Sequence, residues 1–159
     1  TKPHLYTCVI WTPLTLMAFF SQMSDGAGAG AWTTGVTAIL CLLILALSFK
    51  FGTKDITRSD KVMLAGVVGA TFLFIIVRNA LLSIILVTFI DVAAFYPTIR
   101  KSLKKPYEET LSTHNFAAIK HFISIFALEK ISLITALYPS AVFLANLILV
   151  GVLIKGRKK

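Results

Sequence analysis

Residues 62–99 read VMLAGVVGATFLFIIVRNALLSIILVTFIDVAAFYPTI, and Arg78-Asn79 is the one polar break in this long apolar run. A bilayer has a hydrocarbon core about 30 Å thick, so one crossing takes about 20 mostly apolar residues. A single helix over the whole stretch would overshoot that core. The economical reading is a tight hairpin of two spans, Val62–Val77 and Ala80–Ile99. Outward from this hairpin, four more segments have the length and composition of spans: Leu5–Gln22, Ala31–Lys50, Asn115–Leu137 and Ser140–Ile154. The fifth in chain order, Asn115–Leu137, is the least apolar. The expectation is an all-α integral membrane protein with six transmembrane helices.

Composition supports that class. Of the 159 residues, 57% are hydrophobic and 14% are charged. A soluble domain is about 45–50% apolar and about 25% charged. This chain has too few charges to cover a water-facing surface, which argues against a soluble enzyme, and too much apolar surface for a disordered chain. The connections fit the spans. Asp25-Gly-Ala-Gly-Ala-Gly30 reads as a flexible turn, Gly52–Asp60 is polar, and Arg100–Thr113 is basic and then acidic. Ser59 or Asp60 is the expected cap of the third helix and Thr113 of the fifth. Tyr138-Pro139 reads as the break between the last two.

Charge sets the orientation. Sixteen Lys and Arg against seven Asp and Glu give a net charge of +9. With six spans, the N-terminus, the 50–61 loop, the 100–120 segment and the C-terminus share one side. That side carries 14 of the 16 basic residues, leaving Arg78 and Lys130. Short cytoplasmic loops retain positive charge, so both visible ends are expected in the cytoplasm, in a cell membrane. Lys120 is expected to snorkel to that interface. The basic clusters read as orientation and anionic-lipid contact rather than as a nucleic-acid surface. No segment has a signal-peptide pattern, so none is expected. Cys8 and Cys41 fall within spans and read as apolar fillers; no spacing suits a metal, and no cofactor motif occurs. Neither a Gly-x-Ser-x-Gly nor a close pair of catalytic carboxylates is present, so no enzyme and no catalytic residue is expected.

An internal repeat is also visible. Lys2-Pro-His-Leu-Tyr-Thr7 matches Lys105-Pro-Tyr-Glu-Glu-Thr110 at Lys, Pro and Thr, 103 residues apart. This register pairs the first helix with the fifth and the second with the sixth. The third becomes a connector, and the fourth lacks a partner before Thr1. The expected plan is three helices, a linker helix and three helices, with the first helix outside the chain. It divides residues 1–50, 51–79 and 80–159. A second register aligns Pro13 with Pro97 and gives two inverted halves, so the repeat has two readings.

The stretch Pro97-Thr-Ile-Arg-Lys-Ser-Leu-Lys-Lys-Pro-Tyr-Glu-Glu-Thr-Leu-Ser112 resembles the loop of the PQ-loop family, which includes the SWEET and SemiSWEET sugar carriers. In that family a Pro ends the first helix of each triple-helix bundle and a basic cytoplasmic loop follows. Thr98 stands where the family has its Gln. The likeness covers residues 91–116 and part of 2–13; elsewhere it is hydropathy. It implies a 3+1+3 carrier with a cytoplasmic C-terminus. Nicotinamide-riboside carriers have a similar seven-helix plan, so a nucleoside-like solute stands beside a sugar-like one.

The functional expectations follow. Parallel-repeat carriers hold solute near the midplane and rock one bundle against the other. Pro13 and Pro97 are candidate hinges, against static kinks. Asn146, in an apolar helix, needs a partner; it is a candidate solute contact, which the resemblance also implies, against a helix-to-helix bond. Trp11 is a candidate stacking platform, against core packing, and Trp32 an interfacial anchor. Asp91 sits mid-helix, where a charge costs at least about 2.5–3.5 kcal/mol on insertion scales. It is a candidate solute or proton site, against a buried partner such as Lys130, Arg78 or His121. With the fifth helix running to Leu137, His121 and Glu129 lie about 80° apart on it, which admits an Asp91, His121 and Glu129 relay. Ala65-xxx-Gly69 and Gly66-xxx-Ala70 predict close packing of the third helix, within the chain or in a homo-oligomer. The expected function is a carrier or facilitator of a small polar solute. The alternative is a non-transporting subunit, receptor or assembly factor, with Glu129, Lys130 and Arg78 facing a partner subunit.

Overall fold

The structure, a computed structural model, describes residues 5–52, 58–77, 79–104 and 106–158. Of Tyr6, Thr7, Ser59, Asp60, Val77, Tyr96, Pro97, Lys101 and Lys104 it describes the backbone only. Residues 1–4, the Tyr6 and Thr7 side chains of the repeat, Arg78 and Lys105 therefore lie outside the described residues.

Every regular element among the described residues is helical: α1 (Leu5–Ser24), a single 3-10 turn at Gly28–Ala31, α2 (Trp32–Phe51), α3 (Arg58–Val77), α4 (Ala80–Lys104), α5 (Leu111–Phe126) and α6 (Leu133–Arg157). Three of these helices, α2, α4 and α6, are long and apolar enough to cross a membrane, and α1 and α3 carry shorter apolar stretches. The outward faces are apolar too, with Leu40, Leu43, Leu47, Phe72, Ile75 and Phe89 exposed. Patches of this extent suit lipid rather than water.

Helix α1 is the hub of one half. It packs along α2, and against α3 and α4. Its stripe Ile10, Leu14, Met17 and Ala18 has the i, i+4, i+7, i+8 spacing of one helical face. That stripe meets Val67 and Ala70 of α3, Ile84 and Val87 of α4, and Tyr138 and Val142 of α6. Helix α6 lies between α4 and α5, sealed by Phe95 of α4 against Ala145, Leu149 and Leu153. A third cluster, Ala27, Ala31 and Leu128, joins the α1–α2 turn to the α5–α6 turn.

Several boundaries differ from expectation. Helix α5 ends at Phe126 instead of Leu137. The chain leaves the helix because Glu129 N–H donates to Ala27 O, 3.1 Å away in the α1–α2 turn. Glu129 and Lys130 are thus loop residues, and the helical spacing expected for His121 and Glu129 does not exist. Helix α6 starts at Leu133, capped by Ser132, whose side chain accepts from Thr135 N–H while Thr135 accepts from Ser132 N–H. This reciprocal capping box satisfies two donors that a helix start leaves open. Tyr138-Pro139 consequently lies inside α6 rather than before it. Proline has no N–H, so Pro139 frees the carbonyl four residues back. That carbonyl, Thr135 O, accepts the buried Gln22 amide of α1 at 3.2 Å.

Thr110, not Thr113, is the N-cap of α5, without a side-chain bond. Ser59 and Asp60 lie within α3, and their side chains fall outside the described residues. A Cβ built on Gly66 or Gly69 meets nothing within 4 Å, so these glycines of the small-residue stripes do not pack within the chain. Ala70 and Val67 make that contact instead.

Candidate functional site

Three buried side chains, Asp91 of α4, His121 of α5 and Tyr138 of α6, meet in a layer within the bundle. Asp91, 2% exposed, lies midway along α4. Its carboxylate accepts from the Tyr138 hydroxyl of α6 at 3.0 Å. Neither described candidate takes this place: Lys130 pairs elsewhere and His121 approaches Tyr138 instead, while Arg78 lies outside the described residues. The His121 imidazole stands edge-on to the Tyr138 ring, 6.1 Å between centroids. It is buried, with no hydrogen-bond partner for Nδ1 among the described residues. Thr88, three residues before Asp91 and so on the same face, buries a hydroxyl in the same condition.

Lys120, next to His121 on α5, is half-buried beside the layer. Its ammonium donates to Thr37 Oγ1 of α2 at 2.8 Å. It does not snorkel toward the opposite, basic helix ends. The hydroxyl of Thr37 holds it against α2. A cleft of about 390 Å³, with Trp32, Thr33 and Thr37 on its wall, opens from this lysine between α2 and α5.

Asn146 lies two turns beyond Tyr138 on α6. Its amide NH2 donates to Val142 O at 2.9 Å, which leaves Oδ1 to accept from His114 Nδ1–H at 3.0 Å. The helix-to-helix bond is made, on a level separate from Asp91. Trp11 packs against the first core cluster. It also lines an apolar cleft of about 170 Å³ with Cys8, Cys41 and Ile44. Both cysteines are free. Pro13 lies inside α1 and Pro97 within the bounds of α4, its side chain outside the described residues. Trp32 is exposed at the first residue of α2.

Of the expected site residues, Asp91 and His121 thus share a neighbour, Asn146 stands apart with His114, and Trp11 lines a different cleft. Glu129 is at the end of the bundle, where its Oε1 accepts from Ala29 N–H at 3.3 Å. Sequence reasoning missed Tyr138, Lys120 with Thr37, and His114. The signal for Tyr138 was the Ser132-x-x-Thr135 cap, which moves the helix start upstream and Tyr138 inside.

No protein-family model, no curated protein and no solved structure matches this chain.

Proposed function

We propose that the chain is a multi-pass membrane carrier that moves a small polar solute, sugar-like or nucleoside-like, by alternating access. The observation that carries this reading is the buried contact of Asp91, Tyr138 and His121, with the half-buried Lys120 beside it, between apolar helices. Ionisable groups inside a membrane are costly, and in such segments they mark solute or ion pathways. The layer and this lysine offer a carboxylate, an ammonium, an imidazole and hydroxyls, which together can exchange water for the donors and acceptors of a polar solute. The same Asp91 and His121 are the candidate proton-carrying groups; Glu129 lies outside the layer.

In this reading all six helices cross a cell membrane, with the basic ends in the cytoplasm. Helix α3 is the linker between α1–α2 and the α4–α6 bundle, as the PQ-loop resemblance implies. What supports the repeat plan is an imbalance. In the most apolar stretch of α6, held between α4 and α5, 44% is buried; in that of α2 only 22% is. A helix placed on α2 as α4 is placed on α6 would complete a second bundle. The alternative, a non-transporting subunit, draws on Glu129, Lys130 and Arg78 facing a partner; the first two side chains bond within this chain, and Arg78 lies outside the described residues.

The test is uptake by purified protein in proteoliposomes, with labelled hexoses, pentoses and nucleosides. Saturable uptake of one class is the expected result. A panel in which no solute enters faster than in empty vesicles would overturn the proposal.

A further inference from the structure

Resting on that reading, we infer that the α1–α2 turn and the α5–α6 turn form a releasable latch that closes one end of the carrier. Six polar contacts join the two turns or the helix ends beside them. Lys130 Nζ donates to Asp25 Oδ1 at 2.8 Å. The Ser132 hydroxyl donates to Asp25 Oδ2. Glu129 accepts from Ala29 N–H and donates its own N–H to Ala27 O. Just beneath, Ser124 Oγ donates to Gly30 O at 2.9 Å, and the Gln22 amide donates to Thr135 O.

The turn is shaped to receive these groups. Gly28 has φ +57°, a left-handed conformation, and a Cβ there would collide with the Glu129 carboxylate. A Cβ on Gly30 would stand 2.9 Å from Leu128 N and Ser124 O. At Gly30 the backbone of one turn therefore lies directly against the other, and a side chain could not be accommodated there.

The bonds described at the opposite end run differently. Arg157 donates to Pro106 O and Glu109 O, and Tyr107 donates to Arg157 O. These tie the α4–α5 loop to α6, inside one half. The α1–α2 pair and the α5–α6 pair are thus fastened to each other at the turn end, by a solvent-reachable rim at Asp25, Lys130 and Glu129 over two buried bonds, from Ser124 and Gln22. Rocking about the buried layer opens the turn end when these bonds release, and brings the opposite ends together.

The test measures distances between spin labels by pulsed electron resonance, in protein with Cys8→Ser and Cys41→Ser, reconstituted in lipid without solute. One pair of labels replaces Met23 and Ile131 at the turn end. The other replaces Phe51 and Leu103 at the opposite end; all four positions are exposed. The latch is released by Asp25→Asn with Glu129→Gln and, independently, by Gly28→Ala. The expected result is a longer turn-end distance with a shorter opposite distance. Unchanged distances, or any change without the reciprocal one, overturn the latch. Because no solute is needed, that failure is separate from a failure of uptake, which strikes the carrier reading itself.

Discussion

The buried layer and the turn end use the same chemistry to different effect. Each has an acid, a base and a hydroxyl: Asp91, the adjoining Lys120 and Tyr138 in one, Asp25, Lys130 and Ser132 in the other. In the layer, desolvation makes an unpartnered group expensive, so each bond is hard to lose. At the turn end Lys130 is 58% exposed, and solvent screens the pair. The first arrangement suits a fixed site, and the second suits a fastening that opens.

The largest effect that would sharpen this contrast is expected from Tyr138→Phe. It strands the Asp91 carboxylate and should cost about 1–3 kcal/mol, the range for a buried group losing its partner. Thermal unfolding in detergent checks it. Asp91→Asn keeps an acceptor for Tyr138 and removes the charge, so the same melt should show little loss or a gain. At the turn end, Gly28→Ala forces a left-handed residue against Glu129 and should cost about 1–3 kcal/mol. If it melts like the parent, the turn is not packed as described.

Gln22 and Pro139 form a coupled pair. Gln22→Ala leaves Thr135 O unpaired and should cost about 1–3 kcal/mol. Pro139→Ala restores an N–H for the same carbonyl, so the double variant should lose less than the two losses added together. Additive losses in a double-mutant cycle would break the link.

The smallest effect concerns pH. The hydrogen bonds from Lys130 and Ser132, with the charge of Lys130, hold the Asp25 carboxyl below its ordinary value of 3.8. A lowered acid stabilises the latch above that value, and the contribution disappears as pH falls through the lowered one. Turn-end distances should therefore stay constant from about pH 8 to 5 and lengthen only below the ordinary carboxylate range. Lengthening near pH 6 would point to a different group.

The helical class and its long apolar elements were legible because a run of about 20 apolar residues has few other uses. Asp91 was legible as an anomaly in such a run. Its partner was not. Tyr138 precedes Pro139, and proline normally marks a helix boundary; the capping box at Ser132 overrides that rule by starting α6 upstream. Glu129 was misplaced for the complementary reason. Nothing local ends α5 at Phe126 except bonds to a turn about 100 residues away in the chain. The Gly-rich turn at Asp25–Gly30 read as slack because its function depends on what packs against it.

The account turns on Asp91 in the layer. The most direct measurement is the initial rate of solute entry into proteoliposomes for Asp91→Asn beside the parent chain, with both melts recorded. The account predicts that Asn at this position abolishes saturable, selective uptake while the protein stays folded. Equal uptake by the two folded proteins would contradict it.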